Sequence, residues 1–125
     1  MMDAARCGKI GAVSTWATVK KIGKKLPEVE ESTWFNTPSL KVRDKSFCRL
    51  RENDVIVVMV DQDEKEVLLQ AEPDVFFTTP HYDGYPAMLV RLSAIEPDEL
   101  QEVLTESWRL KAPKRLRKEF DEKLA

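Results

Sequence analysis

This sequence has little of what small catalytic or metal-bound domains are built from. It holds one histidine, two cysteines and four glycines in 125 residues. Cys7 and Cys48 are far apart and form no C-x-x-C. That argues against a disulfide scaffold or a zinc site and for a reducing compartment, the cytoplasm. The glycines make neither a phosphate loop nor a dinucleotide fingerprint, and His81 belongs to no H-E-x-x-H helix. No apolar run nears the roughly 20 residues that span a bilayer. Ile10–Val13, broken by Gly11, is too short for a signal-peptide core. The expectation is a non-enzymatic chain that makes no membrane contact and needs neither cofactor nor metal.

What is present is charge, and it is segregated. Lysine and arginine number 20 against 22 acids, so the net charge is only −2. Lys20, Lys21, Lys24 and Lys25 form one basic block, and Arg109, Lys111, Lys114, Arg115, Arg117 and Lys118 form another. Acids gather at residues 28–31, 61–66 and 96–106. A chain of this length fits one domain, burying roughly two-thirds of its unfolded surface. Residues 1–13 read as a loose leader and residues 14–125 as the domain.

Periodicity places the elements. Ser14 or Thr15 caps a first helix to about Lys25, with Trp16, Val19, Ile22 and Leu26 on one face and Pro27 as its stop. Trp34 and Phe35 suggest a short strand. Leu40 and Val42 alternate with Lys41 and Arg43, and Cys48 and Leu50 with Phe47, Arg49 and Arg51. Setting both apolar series on one face pairs Val42 with Cys48 and Leu40 with Leu50 and requires a three-residue loop, Asp44-Lys45-Ser46. Lys41 then opposes Arg49, and Cys48 points inward, where its thiol is inert. Val55–Val60 reads as a strand covered on both faces. A helix follows from about Asp63 to Ala71, with Val67, Leu68 and Ala71 inward. Met88, Val90, Leu92 and Ala94 mark a half-buried strand. Pro97 opens an acidic helix whose core stripe is Leu100, Val103, Leu104 and Trp108. Pro113 separates it from a last helix with Leu116, Phe120 and Leu124 on one face. The fold class is α+β: one α/β sandwich with a mainly antiparallel sheet covered by helices, since tight loops join antiparallel strands.

Several blocks resemble the MmcQ/YjbR family of small bacterial proteins. They are Leu26-Pro27-Glu28-Val29-Glu30-Glu31-Ser32-Thr33, then Thr37-Pro38-Ser39-Leu40-Lys41-Val42-Arg43, then His81-Tyr82-Asp83-Gly84-Tyr85-Pro86, then Ala112-Pro113-Lys114-Arg115-Leu116. Together they span about Thr15 to Leu124. The resemblance implies a fold similar to the CyaY/frataxin sandwich, and it carries that family's DNA-binding label. Iron handling of the frataxin kind would want carboxylates on the first helix, as hard oxygen ligands. The first helix here is basic, so no metal is expected.

Two candidate surfaces remain. Lys41, Arg43, Arg49 and Arg51, with Phe47 among them, repel one another on one hairpin face, and phosphates would relieve that repulsion while an aromatic stacks on a base. Lys114, Arg115 and Arg117 add a second basic block. Both also read as solvated charge, and the second as cations favoured at a helix end. The expected partner on this reading is DNA or another polyanion. The alternative is the loop of His81, Tyr82 and Tyr85, an aromatic surface for a small ligand or a protein partner. Nothing near His81 and Asp83 forms a placed nucleophile, and the catalytic residues are none.

Overall fold

A computed structural model describes residues 14–52 and 54–124 of the chain. The expected leader, residues 1–13, and with it Cys7, lies outside the described residues, as does the Leu124 side chain.

Six strands form one antiparallel sheet, ordered β1-β2-β3-β4-β6-β5. They are β1 Val29–Trp34, β2 Thr37–Val42, β3 Lys45–Glu52, β4 Val55–Met59, β5 Phe76–Phe77 and β6 Ala87–Arg91. The helices among the described residues are α1 Trp16–Gly23, α2 Gln62–Ala71, α3 Pro97–Lys111 and α4 Lys114–Leu124. This is the expected α+β class, with the helices on one face of the sheet.

The local signals explain the boundaries. The Thr15 hydroxyl accepts from Thr18 N–H, and Thr18 returns the bond to the Thr15 amide, a reciprocal cap. The helix stops at Gly23, two residues before the expected end. A side chain at Gly23 would press into Leu40 Cδ1, so glycine lets α1 lie against β2. Pro97 stands at the start of α3, where its missing N–H costs no intrahelical bond.

The inner face of the sheet and the helices enclose the main core. Leu40, Val42, Cys48, Ile56, Val58, Met88 and Val90 meet Val19, Leu92, Leu100, Leu104, Trp108 and Leu116, with Trp16 and Ile22 packed at its margin. Trp108 is fully buried, and its Nε1 donates to Pro27 O at 3.0 Å. Val55–Val60 is buried throughout, as the apolar run implied. Its alternate residues Val55, Val57 and Met59 join Ala87, Leu89 and Tyr82 in a second cluster on the outer face.

Several expectations need correction. The β2–β3 connection is the two-residue turn Arg43-Asp44, with Leu40 opposite Cys48 and Val42 opposite Lys45. A bulge gives β3 one extra residue, and Phe47 turns into the core with no exposed surface. Ser39, not Lys41, therefore opposes Arg49. In α2, Lys65 is buried while Val67 and Ala71 are exposed, and only Leu68 and Leu69 are half-buried against the core. The strand expected over 88–94 ends at Arg91 and continues as a 3-10 turn, Leu92–Ala94. Trp34 closes β1, whereas Phe35 belongs to the turn that follows.

Candidate functional site

Several of the candidate residues gather on the outer face of the sheet. Strand alternation and register put Glu30, Ser32 and Trp34 of β1, Thr37, Ser39 and Lys41 of β2, and Arg49 of β3 on that side. Arg49 sits at its centre. Its Nη1 donates to Thr37 Oγ1 at 3.3 Å and its Nη2 to Tyr82 Oη at 2.9 Å. Its guanidinium also lies over the Phe35 ring, 5.2 Å from the centroid. None of these partners is charged, so they orient the cation without neutralising it. Ser39 Oγ, directly across the strand pair from Arg49, is buried and has no hydrogen-bond partner among the described residues.

The aromatic loop lies over the same face and is anchored from α2. The Lys65 ammonium donates to Tyr82 O at 2.7 Å and to Tyr85 O at 2.8 Å. Gln62 Nε2 donates to Gly84 O at 2.7 Å. Gly84 has φ +74°, the left-handed region where glycine carries no Cβ penalty. Burial lowers the Lys65 pKa, and Asp83 opposes that shift. Tyr82 is buried, with the His81 ring edge-on at 4.7 Å and the Tyr85 ring at 6.2 Å. His81 and Tyr85 themselves face solvent.

The β1–β2 turn completes the surface. Phe35 and Asn36 have φ of 55° and 62°. Positive φ at both central residues is the hairpin turn that matches strand twist, and it favours asparagine and glycine. Asn36 suits it. A phenylalanine held there costs of order 1–3 kcal/mol. Its ring is 72% exposed and stacks beside Trp34 at 5.4 Å with a 27° interplanar angle.

The structure thus joins what the sequence had kept apart. Arg49 and Tyr82, from the two alternative surfaces, are in contact, with Lys41 on the same face. Phe47 is removed from the site, because the bulge buries it. Arg43 lies in the β2–β3 turn in a bidentate pair with Glu28, which raises its pKa. Arg51 falls at a second irregularity, between Leu50 and Glu52. Lys114, Arg115 and Arg117 lie on α4, whose Leu116 enters the main core, so they belong to the helical side of the sheet. Arg115 is 3.6 Å from Glu119 there, and Arg109 pairs with Asp121. Arg43 nonetheless lies within electrostatic reach of Glu119 on α4. Sequence reasoning missed Phe35 and Lys65. Phe35-Asn36 before Thr37-Pro38 was a usable turn signal, whereas the burial of Lys65 depends on a loop about twenty residues away.

A sizeable cleft lies elsewhere. It measures about 980 Å³ and runs between α2 and α3. Met59, Leu68, Met88, Val103 and Phe120 contribute apolar surface, and Asp61, Glu64, Asp98, Glu99, Glu102 and Glu106 line it with acids. Glu99 is pushed up to about 7, first by burial and then by its hydrogen bond to Glu72 and the charges of Glu72 and Glu102. Such a cleft repels polyanions. Among the described residues, no three His, Cys, Asp or Glu side chains are grouped to hold a metal ion. No helix there is long and apolar enough to cross a membrane.

Comparison with known proteins agrees with this fold. A family model described as YjbR matches residues 24–110. Uncharacterized proteins of Mycobacterium bovis and Mycobacterium tuberculosis are 52% identical over 68 residues, covering 54% of this chain and 53% of theirs. The chain therefore spans about half the length of the curated relatives it matches. A crystal structure of a Deinococcus radiodurans protein with a DUF419 domain superposes with a TM-score of 0.68 at 24% identity, covering 86% of this chain and 88% of that one.

Proposed function

The chain belongs to the YjbR family, and from that premise we propose that it is a non-enzymatic nucleic-acid-binding protein acting in the cytoplasm through the outer face of its sheet. The observation that carries this reading is the Arg49 guanidinium, oriented by two hydroxyls and an aromatic ring and left with its charge available. A positioned cation beside exposed rings suits phosphate and base together, since basic groups supply salt-dependent affinity and aromatics stack. Lys41 adds charge, tempered by Glu30 opposite it across β1–β2. Arg51 extends the same strand. The α4 cations Lys114, Arg115 and Arg117 are a separate contact, on the other side of the sheet, for an anionic chain long enough to wrap.

The test is fluorescence anisotropy of a labelled oligonucleotide at several salt concentrations. Log affinity should fall linearly with log salt, by about 0.9 per duplex phosphate neutralised or about 0.7 per single-strand phosphate. Arg49→Ala should weaken binding to all sequences alike and flatten that slope. No binding near 50 mM salt would refute the proposal. A salt-insensitive contact with a protein or small ligand, lost in Tyr85→Ala, would move the function to the aromatic loop.

A further inference from the structure

Resting on that reading, we infer that the outer face takes single-stranded nucleic acid, with Phe35 as the platform on which an unpaired base stacks. Phe35 stands in the wrong place for folding. Both central positions of the β1–β2 turn have positive φ, and the first is a phenylalanine. Asparagine or glycine there would make a better turn. The side chain does not recover that cost by burial, because 72% of it faces solvent. Backbone strain at an exposed aromatic points to function, since folding alone would select against it.

The ring is nevertheless held in one place. Trp34 stacks beside it and the Arg49 guanidinium lies over it, so the side chain is ordered before any ligand arrives. Beyond Arg49 the surface continues to the Tyr82 hydroxyl and then to the exposed Tyr85 and His81 rings. Ring, cation and ring thus follow one another across the face. A flexible strand has that alternation, with bases for the rings and phosphate for the cation. A duplex does not offer it, because its bases are stacked on one another and only their edges are accessible. Stacking on an aromatic is open to every base, so little sequence preference is expected.

The experiment compares a fluorescein-labelled twelve-residue oligothymidine with the same strand annealed to its oligoadenine complement. The proteins are wild type, Phe35→Gly and Phe35→Leu. Phe35→Gly should raise the melting temperature, because glycine accepts positive φ freely. It should also weaken single-strand binding roughly 5- to 150-fold, the loss of one stacked base. Phe35→Leu keeps an apolar side chain and should lose single-strand affinity to a similar extent. Duplex binding should change little in either variant. Equal single-strand affinity in wild type and Phe35→Gly overturns the inference, and so does a lower melting temperature for Phe35→Gly. Wild type that prefers the duplex overturns the single-strand inference while leaving nucleic-acid binding intact. Wild type that binds neither probe overturns both.

Discussion

Arg49 and Tyr82, 33 positions apart, meet on the outer face of the sheet, where the guanidinium donates to the phenolic oxygen at 2.9 Å. This bond fastens the aromatic loop to the β2–β3 hairpin and fixes where the cation points. The loop is pinned on its other side by Lys65 and Gln62, so Tyr82 belongs to the scaffold of the candidate site.

That relationship should appear as energetic coupling. Arg49→Gln and Tyr82→Phe each remove one partner and keep much of the shape. In a double-mutant cycle followed by urea unfolding, the two should couple by about 0.5–3 kcal/mol. Simple additivity would mean that loop and hairpin are not joined in solution.

The β3 bulge makes a second claim about stability. Phe47 is fully buried, so Phe47→Ala should cost about 3–5 kcal/mol. A loss within about 0.5 kcal/mol, usual for a surface position, would restore the three-residue loop and return Phe47 to the outer face.

Strong local signals were legible in the sequence. The Thr15 cap, Pro97 at a helix start and the uniform apolar run Val55–Val60 each specify structure within a few residues. Alternation failed where its phase was broken. Counting by twos through Phe47 and Cys48, two adjacent apolar residues, put Phe47 outside, because a bulge resets the count. The periodicity of α2 misled for another reason. Val67, Leu68 and Ala71 were the expected inward set, but two loop carbonyls satisfy the buried Lys65 ammonium, and their approach is a tertiary event. The resemblance to YjbR proteins supplied the fold. The site emerged only when distant segments were brought together, as with Arg49, Tyr82 and Phe35.

The acid-lined cleft should make stability depend on pH. Glu99 is pushed up to about 7 from its ordinary 4.5, with burial the largest cause. Between those values the folded protein holds a proton that the unfolded chain has released, so stability falls as pH rises across that window. Glu99→Gln removes the penalty. Its melting temperature should match wild type near pH 4, pull ahead between pH 4.5 and 7, and keep a constant lead above that. A lead independent of pH would show that Glu99 titrates normally.

Cys48 provides a probe of the core. Burial raises its thiol to about 12, so almost no thiolate exists near neutrality. In a Cys7→Ser background, the native protein should resist a thiol-disulfide reagent and react only on unfolding. Rapid labelling under native conditions would show that the core opens locally around β3.

The position of β1 at the end of the strand order has a consequence for how the protein behaves in a crowded solution. Its outer edge is six residues long and has no strand beside it among the described residues. An exposed edge of that length is a template for self-association. Glu30 and Glu31 are its second and third residues, and the hydrogen bond and charge of Lys24 hold the Glu31 carboxyl below its ordinary pKa. A second chain adding parallel and in register brings carboxylates towards carboxylates, so that mode of addition is opposed by repulsion. Because Lys24 keeps Glu31 ionised to a lower pH than an ordinary glutamate, that part of the repulsion persists on mild acidification.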